Sequence, residues 1–250
     1  MAGSIVGSFL NVCIHRLPKE ESIVSPRSYC PKCKQSIRWH DNIPFLSFLV
    51  LKGKCRFCHE PISFRYFVVE GLTALSFLVL YLRFGVNALF CIYAAWFSAL
   101  IVASFIDLKH QIIPDEISLG GLAVGMGVSV LYPPLHSAAT RWYSLGYSAL
   151  GALVGGGSIY LIGLFGNLVF RKESMGGGDV KFLAMVGSVV GWQTALLAFF
   201  IAPFFGSVVG IILKIRKGAE IIPYGPFLSL GSIVALLWGE NILTYLGFVR

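Results

Sequence analysis

The sequence is poor in charged side chains. Only 13% of its 250 residues are charged and 56% are hydrophobic, whereas a soluble domain usually has about 25% charged residues. The run between Arg83 and Asp107 has 23 uncharged residues, and the run between Lys181 and Lys214 has 32. A helix needs about 20 apolar residues to cross a bilayer. These runs exclude an ordinary soluble domain and predict several spanning helices, since only helices and closed barrels satisfy their backbone in lipid.

We therefore predict an all-α polytopic integral membrane protein with about seven to eight transmembrane helices. The opening stretch lacks the basic start and the small-residue cleavage site of a signal peptide, so we expect it to remain as a helix. The predicted spans are roughly 1–15, 64–82, 86–106, 117–132, 145–169, 180–191, 193–213 and 225–238.

The basic residues fix the expected orientation, because cytoplasmic loops of membrane proteins are rich in Lys and Arg. Alternating the spans with the N-terminus outside leaves only Arg83, Arg141 and Arg250 of the 20 basic residues on the outer side. The net charge of +8 is then explained by a basic cytoplasmic face beside anionic lipid. The composition gives no reason to expect a nucleic-acid partner.

The longest hydrophilic stretch is predicted to form a cytoplasmic module. We divide the chain into a first transmembrane segment at 1–15, a loop at 16–63 and a multi-helix membrane domain at 64–250. The loop carries two Cys-x-x-Cys pairs, formed by Cys30 with Cys33 and by Cys55 with Cys58. Two such pairs can supply the four thiolates of a structural zinc site.

Two other interpretations of these cysteines are open. Two disulfides are one, but the cytosol keeps thiols reduced. Covalent haem is the other, because Cys55 to His59 matches Cys-x-x-Cys-His. Haem of that kind is attached outside the cytoplasm, and the second cysteine pair favours zinc.

Aspartate is also scarce. Of four aspartates, Asp107 ends one apolar run and Asp179 opens another, and the predicted topology puts both on the cytoplasmic side. Ionisable groups at a membrane boundary are functional candidates. Two neighbouring carboxylates do not both ionise easily, so the pair can hold one acid and one base and activate water. The pattern is thus typical of a membrane aspartic protease.

The alternative is that both aspartates form simple ion pairs with Lys109 and Lys181. The glycines at 176–178 favour catalysis, because glycine permits backbone conformations and close approach that side chains prevent. They do not form a phosphate-binding loop, since the Gly-Lys-Ser/Thr ending is missing. Asp115 precedes an apolar run and is predicted to cap a helix. Glu70 lies within a predicted span and needs a partner there.

The sequence resembles the bacterial type IV prepilin peptidase family over essentially the whole chain. The resemblance is carried by the opening Gly7–Pro18, the two cysteine pairs, Asn42-Ile-Pro44, Arg65-Tyr66 with Glu70, Ile106-Asp107 with Ile113-Pro114-Asp115, Gly176-Gly-Gly-Asp179-Val-Lys181, and Ile222-Pro-Tyr-Gly-Pro226.

The resemblance implies catalytic residues Asp107 and Asp179, with Gly176, Gly178 and Lys181 supporting the catalytic loop. It implies prepilin or type II secretion pseudopilin substrates, cut at the cytoplasmic face of the bacterial inner membrane. It also implies N-methylation of the new terminus with S-adenosylmethionine, with Gly53 and Glu70 at the methyl-donor site.

Two non-protease classes are weighed against this one. A transporter with a zinc-stabilised module would want charges near mid-membrane and paired discontinuous helices, and apart from Glu70 the sequence offers little of either. A non-enzymatic assembly subunit would need the aspartates only for ion pairs, which three consecutive glycines do not require.

Overall fold

The structure, a computed structural model, describes residues 1–30, 32–171, 175–217, 223–245 and 247. They form helices joined by short connections, except for a long segment between residues 16 and 65 that contains one short α-helix and two isolated β-bridges. The helices are α1 Ala2–Arg16, α2 Leu46–Val50, α3 Arg65–Phe84, α4 Ala88–His110, α5 Asp115–Leu131, α6 Arg141–Phe170, α7 Gly177–Val190, α8 Trp192–Lys217 and α9 Gly225–Tyr245.

Each of the eight apolar segments singled out from the sequence is a helix. Five of the described helices are long and apolar enough to cross a membrane, namely α3, α4, α6, α8 and α9. Helices α1, α5 and α7 have 15, 17 and 14 residues, which is short against the roughly 20 that a span requires. The all-α membrane fold is confirmed, and the count of seven to eight spans is not.

The chain divides into two compact units, Met1–Ile106 and Asp107–Arg250. In the first unit α1 packs closely on α3: a Cβ on Gly7 would lie 2.8 Å from the Glu70 Cα. Asn11 adds a bond, because its Nδ2 donates to the Tyr66 carbonyl at 3.2 Å. Small residues of this kind let membrane helices approach each other.

The second unit is built around α7. Its side chains Phe182, Leu183 and Val186 are fully buried, and α7 packs against α5 and α6. A Cβ on Gly151 of α6 would lie only 2.1 Å from the Gly187 carbonyl oxygen of α7. Glycine is therefore required at this crossing, and the close packing fixes the helix that carries Asp179.

Candidate functional site

The four cysteines of the first unit form one cluster. All four Sγ atoms lie within 4.8 Å of one another. The Cys30 and Cys58 sulfurs are 3.8 Å apart and the Cys33 and Cys55 sulfurs are 4.0 Å apart, and all four are free thiols. Four ligands about 2.3 Å from a tetrahedral zinc would be about 3.8 Å apart. The donor set therefore fits a metal ion of this kind.

The two cysteine pairs have the same backbone structure. The amide of Lys34 donates to the Cys30 carbonyl, and the amide of His59 donates to the Cys55 carbonyl. Lys34 and His59, each directly after the second cysteine of its pair, have left-handed φ values of 61° and 57°. The backbone around each cysteine pair thus turns tightly enough to direct both thiols toward one point.

Backbone amides also favour a thiolate in this cluster. The N–H groups of Cys58 and Phe57 lower the pKa of the Cys55 thiol to about 7. A thiolate is the form that binds metal, so the local fold prepares at least this ligand. The zinc prediction from Cys-x-x-Cys spacing is supported as a four-thiol cluster that could hold a metal.

Asp107 lies three residues before the end of α4 and is only 5% exposed. Its Oδ2 accepts a hydrogen bond of 2.8 Å from the backbone N–H of Gly225, the first residue of α9. A Cβ at position 225 would lie 2.8 Å from the same oxygen. Only glycine lets the α9 backbone approach the carboxylate this closely.

Asp179 lies in the first turn of α7. The N–H of Gly176, the N-cap residue, hydrogen-bonds its carboxylate, as in one half of a capping box. Burial raises the pKa of Asp179 to about 6, the nearby Asp107 charge adds to the increase, and the Gly176 bond opposes it. The second unit therefore brings the two carboxylates within electrostatic reach of each other.

The three glycines are used differently from the expectation. Gly176 has φ −74° and ψ 141°, which any residue can adopt, so no unusual backbone conformation is needed there. Nothing lies within 4 Å of a Cβ built on Gly177, and a Cβ on Gly178 would lie 3.5 Å from that of Ile113. A Cβ at any of the three positions would therefore come no closer than ordinary van der Waals contact.

Two sequence-based interpretations of charged residues need correction. Pro114 occupies the N-cap position of α5, and Asp115 is the first helical residue and makes no capping bond. Lys181 does not pair with Asp179; its Nζ contacts Asp115 Oδ1 at 2.8 Å and Oδ2 at 3.0 Å. The spacing could not reveal this, because Asp115 and Lys181 meet only when α5 packs on α7.

The predicted methyl-donor residues lie in the first unit. The Glu70 carboxylate accepts from the Phe45 backbone N–H at 3.0 Å, which gives the buried acid its partner. Gly53 has φ +67° and packs under the Phe48 ring. A cavity of about 500 Å³ lies between α1 and the loop, and Ile43, Pro44, Arg16 and Arg27 are among its lining residues.

Two neighbours of the aspartates were missed in the sequence. Gly225 contacts Asp107. Burial, with a smaller contribution from the charge of nearby Asp179, raises the pKa of Tyr224 to about 12. Both belong to the Pro-Tyr-Gly-Pro motif at 223–226. The motif was visible, but nothing in its residues alone pointed to Asp107 or Asp179.

Two family models together match most of the chain. Residues 1–84 match the bacterial peptidase A24 N-terminal domain, and residues 91–211 match the type IV leader peptidase family. A Pseudomonas aeruginosa protein named prepilin leader peptidase/N-methyltransferase is 35% identical, over 99% of this chain and 92% of its own length. The chain belongs to the type IV leader peptidase family.

Two other relatives carry names that refer to the same kind of enzyme. A Myxococcus xanthus prepilin leader peptidase/N-methyltransferase is 39% identical over 86% of this chain, which spans 62% of that relative's length. An Escherichia coli type 4 prepilin-like proteins leader peptide-processing enzyme is 39% identical, over 94% of this chain and 91% of its own. No solved structure matches the chain significantly. The family resemblance drawn from the motifs is confirmed.

Proposed function

We propose that this chain is a membrane-embedded aspartic endopeptidase that removes the leader peptide of prepilins, pseudopilins or both, and that it methylates the new N-terminus. The observation that carries the peptidase proposal is the proximity of Asp107 and Asp179, because the charge of one raises the pKa of the other. The printed names of the relatives support the substrate class and the second activity.

The charge on one carboxylate separates the roles of the two, because it favours the proton on the other. Each of them accepts one backbone N–H, Asp107 from Gly225 and Asp179 from Gly176. Asp179, with its pKa raised to about 6, holds the proton of the pair. Asp107 takes a proton from water as the water oxygen bonds to the scissile carbonyl carbon, and Asp179 protonates the leaving amide nitrogen as the C–N bond breaks.

The site is proposed to face the cytoplasm in a bacterial inner membrane. Seventeen of the 20 basic residues then lie on the cytoplasmic side, as the positive-inside rule requires. A basic leader peptide would remain on that side, where Asp107 and Asp179 meet it, while the hydrophobic helix that follows the cut stays in the bilayer.

Purified wild-type protein, Asp107→Asn and Asp179→Asn should be incubated in detergent with a prepilin substrate. Wild type is expected to release the leader, and each variant to lose cleavage, because Asn cannot exchange a proton as the dyad does. Glu116→Gln, which removes an exposed carboxylate near the start of α5, is the matched control. Cleavage by either folded Asp variant would overturn the dyad.

The four-thiol cluster is proposed to hold structural zinc, since four sulfur ligands leave no open coordination position. Cys30→Ser or Cys58→Ser should lower the zinc content of the purified protein and make the 16–63 loop more sensitive to protease. Persistence of one zinc per chain after replacement of all four cysteines would refute this assignment.

S-adenosylmethionine is the proposed methyl donor, and when bound it would supply an electrophilic methyl group. The cavity of about 500 Å³ in the first unit is within the usual range for small-molecule sites, about 300–1,000 Å³. Arg27 in its wall could meet a carboxylate, and Glu70 would hold the 43–45 segment through Phe45. Gly53, whose left-handed backbone packs against Phe48, is proposed as a further methyl-transfer residue.

Equilibrium binding of labelled S-adenosylmethionine tests this site without requiring turnover. Arg27→Gln and Glu70→Gln should each weaken binding while cleavage of the leader continues. Unchanged binding in both variants would exclude this cavity as the methyl-donor site and leave the peptidase proposal standing.

A further inference from the structure

A charged contact links α5, which follows Asp107, to α7, which carries Asp179. Lys181 of α7 contacts both carboxylate oxygens of Asp115, the first residue of α5, at 2.8 and 3.0 Å. Asp179 precedes Lys181 by two residues. On the other side, the end of α4 and the short 111–114 connection join Asp107 to Asp115. The contact therefore joins the segment that follows Asp107 to the segment that follows Asp179.

An apolar contact lies beside this ion pair. Ile113, in the 111–114 connection, is buried, and a Cβ on Gly178 would lie 3.5 Å from the Ile113 Cβ. Ile113 thus packs next to the glycine that directly precedes Asp179. The ion pair and this apolar contact together pack the connection after Asp107 against the start of α7.

The ion pair is not explained by stability or by direct charge effects. Its side chains are 41% and 58% exposed, and exposed pairs contribute little to the free energy of unfolding. Lys181 is not among the groups that shift the pKa of Asp179, which are burial, Asp107 and Gly176. Its remaining effect is geometric, because it limits how far the starts of α5 and α7 can separate.

We propose that Asp115 and Lys181 are positioning residues of the peptidase site, whose ion pair holds the starts of α5 and α7 together and so sets the approach of Asp107 to Asp179. The inference rests on the proposed peptidase function. It assigns Asp115 a role that neither its position in the sequence nor its expected capping function indicates.

Kinetics of Asp115→Asn, Lys181→Met and the double variant test the proposal. Since an exposed ion pair holds two helices together only weakly, each single variant is expected to lower kcat about 2- to 5-fold. KM for the prepilin should be unchanged, and the double variant should be no worse than the less active single variant. The alkaline limb of the pH profile should move to lower pH, because a larger separation weakens the effect of the Asp107 charge on the Asp179 pKa. Glu116→Gln, the neighbouring exposed carboxylate, should cleave at the wild-type rate.

Wild-type kcat in both single variants, or losses that multiply in the double variant, would overturn the proposal. So would a raised KM at unchanged kcat, since that would mean that the two residues bind substrate rather than position the carboxylates.

A second measurement needs no catalysis. A Cβ separation of 3.5 Å is within disulfide range, so Ile113→Cys with Gly178→Cys should form a disulfide by exchange with oxidised glutathione. Proteolysis between the two positions followed by a non-reducing gel measures the linked fraction. Adding Asp115→Asn or Lys181→Met should slow linkage several-fold, whereas Glu116→Gln should not.

Linkage at an unchanged rate in both variants would overturn the positioning role even if cleavage has failed. If the wild-type protein does not cleave the prepilin but Asp115→Asn or Lys181→Met still slows disulfide formation, the result counts against the peptidase function. The contact between α5 and α7 then still stands.

Discussion

At the scale of single residues, the two aspartates differ in what surrounds them. Asp107 is buried and accepts a backbone N–H from Gly225, whereas Asp179 begins a helix, is bonded by the Gly176 N–H and has its pKa raised to about 6. Residue type alone made them candidates, since aspartates at membrane boundaries are rare. The Gly225 contact of Asp107 depends on a distant segment of the chain, whereas the Gly176 bond of Asp179 is local.

The raised pKa of Asp179 predicts a pH-dependent stability difference. The folded state retains the Asp179 proton up to about pH 6, whereas an unfolded Asp loses it near pH 4. Ionisation therefore costs stability as the pH rises through this window. Asp179→Asn, which does not titrate, should raise the thermal stability relative to wild type by on the order of 2 kcal/mol at pH 7.5 and by much less at pH 4.

Thermal unfolding in detergent at pH 4, 6 and 7.5 measures this difference, and changes in the cysteine cluster cancel because both proteins carry it. An equal gain at all three pH values would show that the substitution acts through packing and not through the carboxylate.

Gly225 provides the second test at this scale. A Cβ there would lie 2.8 Å from Asp107 Oδ2, so Gly225→Ala must displace the carboxylate or the start of α9. We expect cleavage to fall about 10- to 100-fold with little change in the amount of folded protein. Gly120→Ala, where a Cβ meets nothing within 4 Å, serves as the control; equal activity of both variants would contradict the contact.

At the scale of elements, α7 is short but heavily buried. Its position depends on glycines where α6 and α7 cross, because these residues have no side chain to keep the two backbones apart. The apolar pattern predicted a helix at 180–191, and α7 is found at Gly177–Val190. The pattern did not predict that Gly151 of α6 would face Gly187 of α7 at backbone distance. Backbone contact of this kind involves no side chain, so it leaves no periodic signal in the sequence.

Substitution at this crossing should destabilise the second unit. Gly151→Ala would put a Cβ 2.1 Å from the Gly187 carbonyl oxygen, and overpacking of this kind costs about 1–3 kcal/mol. We expect a lower midpoint of thermal unfolding and reduced cleavage. Gly157→Ala, in the same helix with nothing within 4 Å of its Cβ, should unfold like wild type. Identical midpoints for the two variants would exclude the close α6–α7 contact.

At the scale of the whole molecule, the chain is a membrane protein of two compact units, Met1–Ile106 with the cysteine cluster and Asp107–Arg250 with both aspartates. Five of the described helices meet the length and composition of a span. The distribution of basic residues predicts that the cysteine loop faces the cytoplasm and that the connection before α6 faces outward.

Labelling of intact cells tests this orientation. In a background with Cys91 replaced by Ser, Ala139→Cys in the exposed connection before α6 should react with a membrane-impermeant maleimide. Glu21→Cys in the loop that contains the cysteine pairs should react only after the membrane is permeabilised. The reverse pattern would invert the topology and place the aspartates on the outer face.

The sequence by itself determined the class of the protein, because the length of apolar runs, the spacing of Cys-x-x-Cys pairs and the scarcity of aspartate are local properties of the chain. It thereby indicated the helices, the four-thiol cluster and the candidates Asp107 and Asp179. Only the tertiary structure decided that Lys181 meets Asp115, that Gly225 bonds Asp107 and that Gly151 faces Gly187. Each of these contacts joins segments far apart in the chain, and their geometry follows from helix packing rather than from any neighbouring residue.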